Sequence, residues 1–421
     1  MDVVKFYNLF IESNFSFTTD SRSIEKGAIF FALKGENFNG NIYANQALAD
    51  GAEYAVIDED QGDDPRLILV DDVLHFMQLV SHFHRSCYDI PVIAICGSNG
   101  KTTSKNLIRQ ILQKKYRTHS TQGNFNNHIG VPITLLQMPI NTEIAVIELG
   151  TNNPGEIEAL CKIADPDYGL ITNIGKEHLE GFGTLEAVAK EESEIYHYIL
   201  KNGGSIFLNT DDDWLTRMSR SLTEKITYSK KDVVIKSLVP AISFKYKTQD
   251  FSSKLMGDYN LDNILLAIAI GEHFDVDLEH IKEAISEYQP DNNRSQLIEQ
   301  NGKTIILDAY NANPSSMQVA IKNFSLLHQK KKILILGDMF EMGPTADQEH
   351  LDLLLWCNQF NFHTIYALGD HFASTSDKTD SITPYSMEDL GEVLKTEDLQ
   401  NAAFLIKGSR GMKMERVLDY L

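Results

Sequence analysis

A glycine-rich segment follows an apolar run in the first quarter of the sequence. Val92–Cys96 precedes Gly97-Ser98-Asn99-Gly100-Lys101-Thr102-Thr103, and a stretch with helical spacing comes next. A strand, a glycine turn and a helix N-terminus together bind phosphate, because backbone N–H groups and the positive end of the helix face the anion. We predict that Lys101 reaches the outer phosphates of a nucleotide and that the Thr102 hydroxyl ligates Mg²⁺. The usual glycine six residues before Lys101 is replaced by Ile95, so an ordinary glycine turn stays the alternative.

Three further segments carry polar side chains that suit a substrate or a metal. The segment 121–132 is rich in amides, which both donate and accept hydrogen bonds, although a plain surface loop fits equally well. Glu148 ends the apolar run Ile144–Ile147, where it would bind Mg²⁺ through oxygen, or simply cap a helix or face solvent. His178 follows the strand-end residue Asn173; a lone histidine is more often structural than a ligand. From the residues alone, these features predict a Mg-nucleotide-dependent enzyme.

The elements that must position these residues alternate along the chain. Short runs rich in Val and Ile predict strands buried on both faces of a parallel sheet, at Val92–Cys96, Ile144–Ile147, Gly169–Ile174, Ser205–Leu208, Thr304–Leu307, Ile333–Leu336 and Ala403–Ile406. Helical spacing lies between them, at Thr103–Tyr116, Leu185–Leu200, Asn260–His273 and Ser315–His328. This alternation predicts an α/β protein with doubly wound sheets.

Length and local composition predict three domains in the 421 residues. The segment 1–88 is expected to be a small mixed α/β domain, with strands near Ala28–Ala32, Tyr54–Ile57 and Leu67–Val70. The segment 89–290 is expected to be a phosphate-loop-type doubly wound domain, and 291–421 a Rossmann-like domain. A polar stretch at Tyr288–Asn293 marks the second boundary.

Composition excludes several classes of partner. With 38 Lys+Arg against 59 Asp+Glu, the net charge is −21, which disfavours nucleic acid and anionic membranes. The four cysteines form no CxxC pair, which indicates a reduced compartment without disulfides or zinc. No signal peptide and no stretch of about 18 apolar residues is apparent, so we expect a cytoplasmic protein.

Taken together, the motifs resemble those of the Mur ligase family, ATP-dependent amide-forming enzymes that build the peptidoglycan precursor peptide. The short form Gly-Ser-Asn-Gly-Lys-Thr-Thr is the one that family uses. Further motifs cover nearly the whole chain: Asp20-Ser21-Arg22, the segments 30–36, 308–317 and 336–343, and Lys407-Gly408-Ser409-Arg410. Segment 308–317, Asp-Ala-Tyr-Asn-Ala-Asn-Pro-Ser-Ser-Met, favours the member that uses UDP-N-acetylmuramoyl-tripeptide and D-alanyl-D-alanine.

The resemblance implies a role for each matching position. Lys101 would bind ATP phosphates together with the loop residues Gly97, Ser98, Asn99, Gly100, Thr102 and Thr103. Glu148 and His178 would serve the metal sites, Asn260 and Asn263 the adenine, and Arg294 and Asp308 the nucleotide from the third domain. Without the family, the last four residues would be read as ordinary helix, linker or strand-end polar groups.

Substrate contacts follow from the same resemblance. The UDP-sugar would be bound by the first domain through Ser21, Arg22, Lys34 and Gly35, whereas Asn39-Gly40-Asn41 departs from the family pattern. Polar substrate groups would meet Asn124, Asn126 and Asn127. The acceptor dipeptide would be bound by Asn311, Asn313, Ser315, Lys407, Ser409 and Arg410.

Position 192 departs most informatively from the family. A lysine fourteen residues after the metal-site histidine is commonly carbamoylated in these ligases, and its carbamate helps hold a second Mg²⁺. Here that position is Glu192. Our hypothesis is that Glu192 supplies the carboxylate directly. Carbamoylation of Lys190 is the competing idea, but two helical residues are about 200° apart, so Lys190 should face away; a solvated Glu192 is the third reading.

The implied reaction is amide formation through an acyl phosphate. ATP phosphorylates the tripeptide carboxylate, the dipeptide amine attacks, and phosphate leaves. ATP and Mg²⁺ are the expected cofactors, and a monomer is expected. Three alternatives remain: another Mur-type amide ligase, a non-catalytic ATP-binding scaffold of the same fold, and a phosphate-loop kinase.

Overall fold

The structure is a computed structural model that describes residues 1–290, 293–375 and 384–421. Its first 90 residues form a parallel sheet with strand order β1-β2-β5-β6. In β2, Ile29 and Phe31 join one apolar cluster and Phe30 joins another, as alternation along a strand requires. The elements are α1 (Val3–Glu12), β1 (Phe17–Thr18), β2 (Ile29–Phe31), β3 (Lys34–Gly35), β4 (Phe38–Asn39), α2 (Ala44–Ala49), β5 (Tyr54–Ile57), β6 (Leu67–Leu69) and α3 (Val73–Ser86).

The next 200 residues form a six-stranded sheet of order β12-β11-β10-β7-β9-β8 and an antiparallel sheet of order β13-β14-β15. Every residue of β7 is buried, as its continuous apolar run predicts. The elements are β7 (Val92–Cys96), α4 (Lys101–Leu112), β8 (Thr118–Ser120), α5 (Gly130–Leu136), β9 (Ile144–Glu148), α6 (Glu156–Ala164), β10 (Tyr168–Ile171), α7 (Leu179–Phe182), α8 (Leu185–Glu192), α9 (Glu194–Asn202), β11 (Ser205–Asn209), α10 (Asp213–Met218), β12 (Lys225–Tyr228), β13 (Val233–Ser237), β14 (Ser243–Tyr246), β15 (Gln249–Ser252), α11 (Asp258–His273) and α12 (Leu278–Glu287).

One predicted helical stretch is divided in two. The stretch Leu185–Leu200 forms two helices, α8 and α9, which meet at Ser193. The Ser193 hydroxyl donates to the carbonyl of Lys190 at 2.6 Å and so competes with the backbone for that acceptor. The strand predicted at Gly169–Ile174 also ends early, at Ile171.

The remaining residues form a second six-stranded sheet, of order β16-β17-β21-β18-β19-β20. Strand β16 is antiparallel, and the other pairs are parallel. The last strand, β21, lies between β17 and β18, so the carboxyl ends of these three strands are neighbours. The elements are β16 (Gln296–Gln300), β17 (Lys303–Asp308), α13 (Pro314–Ser325), β18 (Lys332–Gly337), α14 (Ala346–Cys357), β19 (Thr364–Leu368), α15 (Asp370–Thr375), β20 (Pro384–Tyr385), α16 (Met387–Thr396) and β21 (Ala403–Lys407).

The chain divides into two compact units. The first unit comprises residues 1–94, 116–150 and 156–168, and the second comprises 95–115, 151–155 and 169–421. The domain boundaries at residues 88 and 290 stay a prediction. Within the described residues, no helix is both long and apolar enough to cross a membrane.

Candidate active site

The loop between β7 and α4 has the backbone that its glycines predict. Gly97 and Gly100 have φ of +115° and +84°, which glycine adopts without strain. A Cβ on Gly97 would overlap the Thr172 hydroxyl, and one on Gly100 would lie 2.7 Å from Asn263 Oδ1. Helix α4 begins at Lys101, so the loop is followed directly by a helix N-terminus. This geometry exposes backbone N–H groups and a positive dipole end to an anion.

The chain after β10 braces this loop. Asn173 accepts from the Ser98 backbone N–H through its carbonyl at 2.9 Å, and its side-chain amide donates to the Asn99 carbonyl at 2.8 Å. Ser98 Oγ donates to the Gly175 carbonyl at 3.1 Å. Asn173, two residues after the end of β10, therefore supports the shape of the loop.

A buried group of charges lies beside the loop. Glu192 is 1% exposed, and its Oε2 accepts from the Gly97 backbone N–H at 2.8 Å. Lys101 Nζ lies 3.7 Å from Glu177 Oε2 and also donates to the Gly97 carbonyl. Glu177 is 3% exposed, and its Oε1 has no hydrogen-bond partner. Burial and the charge of Glu177 raise the pKa of Glu192 to about 7, against the opposing effect of Lys101.

His178 joins the same group from the loop before α7. Its Nε2 lies 3.8 Å from Glu177 Oε2, and its Nδ1 lies 2.5 Å from Glu341 Oε2. Burial lowers the pKa of His178, but the Glu341 hydrogen bond and the charges of Glu177 and Glu341 outweigh that effect, so the pKa is raised overall. The second unit therefore brings together Lys101, Glu177, His178 and Glu192.

Helix α8 orients its last residues as its rotation predicts. Lys190 is exposed, whereas Glu191 and Glu192 are buried. Glu191 accepts from the Gly155 backbone N–H at 2.7 Å. The side chain that faces the phosphate loop is therefore Glu192, and Lys190 faces solvent.

In the first unit, the amide-rich loop folds against the end of β9. Glu148 is 2% exposed, and Asn126 Nδ2 donates to its Oε1 at 2.9 Å. Asn127 Oδ1 accepts from the backbone N–H groups of Ile129 and Gly130 and so stabilises the turn that leads into α5. Asn124 is exposed. The three predicted asparagines thus differ: Asn126 contacts the predicted metal-site carboxylate, Asn127 is structural, and Asn124 faces solvent.

The predicted UDP-sugar residues lie after β1 and β2, at one edge of the first parallel sheet. The Arg22 side chain is 88% exposed and pairs with Asp20 at 2.8 Å. Lys34 Nζ lies 3.0 Å from Asp58 Oδ1. Ser21 is half-buried and Gly35 is exposed.

Asn41, at the departure from the family pattern, is fully buried. Its side-chain amide donates to Asp58 Oδ1 at 2.8 Å, and its Oδ1 accepts from the Asp58 backbone N–H at 3.0 Å. Asn41 is thus a structural link to β5 rather than an exposed contact.

The two asparagines predicted to meet adenine are buried on α11. Asn263 Nδ2 donates to Asn260 Oδ1 at 3.0 Å, and Asn263 Oδ1 accepts from Ser104 Oγ at 3.0 Å. Asn260 Nδ2 donates to the Met256 carbonyl. Asn263 therefore packs directly against Gly100 of the phosphate loop. Contact of either asparagine side chain with adenine stays a prediction.

The carboxyl ends of β17 and β21 hold an ion pair and a stacked cation group. Asp308 and Lys407 are opposite each other in the sheet register, and Lys407 Nζ donates to Asp308 Oδ2 at 2.7 Å. The guanidinium carbons of Arg294 and Arg410 lie 3.6 Å and 5.0 Å from the centre of the Tyr310 ring. These predicted nucleotide and dipeptide residues are therefore neighbours, and both arginines lie against the Tyr310 ring.

The loop before α13 contacts the phosphate loop. Asn313 Nδ2 donates to Asn99 Oδ1 at 3.1 Å, while Asn313 Oδ1 caps α13. Ser315 Oγ accepts from the Lys176 backbone N–H at 2.9 Å. Asn311 Oδ1 accepts from the Ala312 backbone N–H. The predicted acceptor loop is therefore joined directly to the predicted ATP loop.

Ser409, which was also predicted to bind the dipeptide, makes a structural contact. It is buried, and its Oγ accepts from the Phe340 backbone N–H at 2.9 Å. Ser409 thus connects the end of β21 to the segment after β18.

The donor set fits Mg²⁺ held jointly with phosphate. Within the described ranges, no group of three or more His, Cys, Asp or Glu side chains is placed to hold a metal alone. Mg²⁺ usually takes one or two protein carboxylates, with substrate phosphates and water completing its shell. The unpartnered Glu177 oxygen and the buried Glu192 match that requirement.

Three residues of this region escaped the sequence analysis: Glu177, Tyr310 and Glu341. Glu177 directly precedes His178, and Tyr310 and Glu341 lie inside motifs already singled out. Of their contacts, only the one between Glu177 and His178 joins neighbouring residues. The other contacts join residues that are distant along the chain, so the sequence did not indicate them.

Comparison with known proteins gives the family. Three family profiles match: the Mur ligase middle domain at residues 95–271, the "Mur ligase, glutamate ligase domain" at 293–410, and the "Mur ligase family, catalytic domain" at 16–75. A UDP-N-acetylmuramoyl-tripeptide–D-alanyl-D-alanine ligase of Bacillus subtilis is 34% identical, covering 96% of this chain and 92% of that protein. The chain belongs to the Mur ligase family. The Escherichia coli enzyme of the same description is 32% identical over 96% of this chain and 93% of its own.

Solved structures agree with this assignment. MurF from Acinetobacter baumannii has a TM-score of 0.88 and 30% identity, covering 96% of this chain and 92% of its own. MurF from Thermotoga maritima in complex with ADP has a TM-score of 0.86 and 26% identity, covering 96% of each chain. The predicted family, α/β fold class and ATP-dependent ligase class are confirmed, and so is use of a nucleotide.

Proposed function

We propose that the protein joins D-alanyl-D-alanine to UDP-N-acetylmuramoyl-tripeptide, with ATP converted to ADP and phosphate through an acyl-phosphate intermediate. The observation that carries this proposal is the hydrogen bond from Asn313 to Asn99. It joins the loop proposed to shape the acceptor site to the loop proposed to bind ATP. An amide ligase needs this neighbourhood, because the amine must attack a carboxyl group that has just received the γ-phosphate. The relatives from B. subtilis and E. coli, matched over nearly their whole length, support the same substrates.

The phosphate loop supplies most of the charge neutralisation for phosphoryl transfer. Lys101 reaches the outer phosphates from the N-terminus of α4, and the loop amides from Ser98 to Thr103 face the remaining oxygens. Such transfer needs positioning and electrostatic stabilisation more than covalent help from protein. The Glu177 carboxylate, 3.7 Å from Lys101 Nζ, orients the ammonium toward the loop.

Thr102, His178 and Glu192 are the residues of the second unit that would hold Mg²⁺, and Glu148 is the proposed metal ligand of the first unit. Bound there with ATP, Mg²⁺ would neutralise phosphate charge in the transition state. Glu192 takes the position of the carbamoylated lysine, and its burial beside Gly97 supports a direct carboxylate there. The exposure of Lys190 disfavours carbamoylation at that residue as the substitute.

Substrate recognition is divided along the chain in this proposal. Residues 1–88 bind the UDP-sugar through Ser21, Arg22, Lys34 and Gly35, residues 89–290 bind ATP, and residues 291–421 complete the site. Asn260 and Asn263 contact adenine, and Arg294 and Asp308 contact the nucleotide from the third domain. Polar substrate groups meet Asn124 and Asn126, and Asn127 holds the loop that carries them. The dipeptide meets Asn311, Asn313, Ser315, Lys407 and Arg410, and Ser409 shapes the same region through its contact with the Phe340 backbone.

We further propose a cytoplasmic monomer that acts on small molecules and binds neither nucleic acid nor membrane. The net charge of −21 repels polyanions. None of Cys87, Cys96, Cys161 and Cys357 forms a disulfide, which suits a reducing compartment.

The test is phosphate release with Mg-ATP, UDP-N-acetylmuramoyl-tripeptide and D-alanyl-D-alanine, omitting each in turn. We expect release only with all three, and a product heavier by the dipeptide in the mass spectrum. Release with another amino acid instead of the dipeptide would assign the chain to a different Mur-type ligase. ATP binding without turnover under any combination would indicate a silent scaffold.

A further inference from the structure

Two residues with strained backbones meet between the loop before α7 and the segment after β18. His178 has φ of +45° and Glu341 has φ of +63°, a region that non-glycine residues rarely occupy. Their side chains form a 2.5 Å contact between His178 Nδ1 and Glu341 Oε2. Such strain persists only where the surroundings enforce it, and it is concentrated at functional sites.

Two backbone contacts keep Glu341 in place over the same loop. Its carbonyl accepts from the Glu180 backbone N–H at 3.1 Å. Gly343, two residues later, packs so closely that a Cβ there would lie 3.1 Å from Glu180 Cα. The Glu341 carboxylate is therefore aimed at His178 by the backbone on both sides of the contact.

The contact determines which ring nitrogen carries the proton. A carboxylate can only accept a hydrogen bond, so the short contact requires N–H at His178 Nδ1. In the neutral ring, Nε2 then carries a lone pair and no proton. Nε2 lies 3.8 Å from Glu177 Oε2, the oxygen that Lys101 also faces. A histidine that binds a metal through one nitrogen commonly donates the other N–H to a carboxylate in this way.

We propose that Glu341 is a positioning residue that fixes His178 as the Nδ1–H tautomer, with Nε2 available as a ligand beside the phosphate loop. This inference deepens the proposed function and rests on it for the role of His178. Glu341 belongs to segment 336–343. His178 is therefore held in the tautomer that can bind a ligand only when that segment packs against the loop before α7.

The tautomer of His178 is the direct test, and it needs no activity. Histidine ¹⁵N–¹H correlation spectra are recorded on the whole protein at a pH where the ring is neutral, and His178 is assigned by its loss in His178→Gln. We expect Nδ1–H in the wild type and in Glu341→Gln, whose amide oxygen still accepts. Glu341→Ala should show Nε2–H. An Nε2–H ring in the wild type would overturn the proposal whatever the enzyme does.

Phosphate release against Mg²⁺ concentration adds a functional measurement. Glu341→Ala should raise the apparent KM for Mg²⁺ about 10- to 100-fold, with kcat largely recovered at saturating Mg²⁺ and partial rescue by Glu341→Gln. The matched control is Glu349→Gln, because Glu349 pairs with Lys176 of the same loop at 2.6 Å without touching His178.

The outcomes separate this inference from the proposed function. An equal loss in Glu349→Gln and Glu341→Ala would show that both carboxylates only fasten the loop, and would contradict a specific role for Glu341. A wild-type protein that releases no phosphate would refute the ligase proposal, while the spectra would still decide the tautomer.

Discussion

Two buried polar side chains, His84 of the first compact unit and Glu177 of the second, differ in whether their polar atoms have partners. In the first unit, His84 is fully buried, and both ring nitrogens have partners: Tyr7 Oη lies 2.8 Å from Nδ1 and Tyr88 Oη lies 3.1 Å from Nε2. In the second unit, Glu177 is almost as buried, yet its Oε1 has no partner. An unpartnered buried polar atom costs about 1–3 kcal/mol. The two satisfied ring nitrogens of His84 indicate a scaffold residue, whereas the unpartnered Glu177 oxygen beside the phosphate loop indicates a site completed by its ligand.

The exposed charges extend the contrast. Arg22 and Lys34 of the first unit are exposed and paired with neighbouring carboxylates, whereas Lys101 of the second unit is largely buried. Exposed ion pairs contribute little to stability because water screens them. We therefore expect substitutions around Lys101 to affect chemistry most, and substitutions at Arg22 or Lys34 to affect only substrate affinity.

The largest effect is expected for Lys101→Ala. Removing the cation that faces the outer phosphates should lower kcat about 10²- to 10³-fold in the phosphate-release assay, while the melting temperature stays near that of the wild type. Lys114→Ala is the control, because Lys114 follows α4 but pairs with Glu283 and Glu287 on the surface. Comparable rates for both variants would contradict a special role for the cation beside the phosphate loop.

His84 should make the first unit sensitive to acid. Burial lowers the pKa of His84 to about 4, whereas the unfolded chain titrates near 6.5. Between these values the unfolded state binds a proton that the folded state refuses, so stability falls as pH decreases from 6.5 to 4. The gap corresponds to about 3 kcal/mol, at about 1.4 kcal/mol per pH unit. Urea unfolding followed by tyrosine fluorescence should show this slope, and His84→Gln should reduce it; an unchanged slope would refute a titrating scaffold histidine.

Glu192 should respond as a metal-site carboxylate. Glu192→Gln keeps the size and loses the charge, and we expect about 10- to 100-fold lower activity with a higher Mg²⁺ requirement. Glu192→Lys should recover part of that loss only when bicarbonate is added, because a lysine carbamate would restore the carboxylate. Lys190→Ala, at an exposed position, should be neutral. Full activity of Glu192→Ala, or a gain of 44 Da on Lys190 in the wild type, would overturn this role.

The smallest effect is expected at the exposed edge of the first unit. Arg22→Ala and Lys34→Ala should each raise KM for UDP-N-acetylmuramoyl-tripeptide about 3- to 10-fold with kcat unchanged, because they would bind ground state and transition state equally. A fall in kcat with constant KM would show that these residues act in the catalytic step. It would contradict the expectation that only the residues around Lys101 do so.

Much of the fold could be predicted from local sequence patterns. The run Val92–Cys96 is a strand with the predicted bounds, and the glycines at 97 and 100 have the backbone their spacing predicts. The split of the stretch 185–200 was missed, because a Ser193 side chain that captures a carbonyl leaves no trace in hydrophobic spacing.

The candidate site was predictable only in part. Family spacing directed attention to Glu192, and the structure shows that residue buried beside Gly97. The contact between His178 and Glu341 joins residues far apart in the chain, and only tertiary packing creates it. Partnerships of this kind depend on how loops meet at sheet edges, which neither composition nor periodicity encodes.

The most direct test of the ligase mechanism follows an oxygen atom. UDP-N-acetylmuramoyl-tripeptide labelled with ¹⁸O in its reacting carboxylate is turned over with Mg-ATP and D-alanyl-D-alanine, and the released phosphate is analysed by mass spectrometry. An acyl-phosphate pathway transfers a single ¹⁸O atom from the carboxylate to each phosphate. Unlabelled phosphate alongside continued release would show that water or another acceptor takes the γ-phosphate, and would contradict the proposed function.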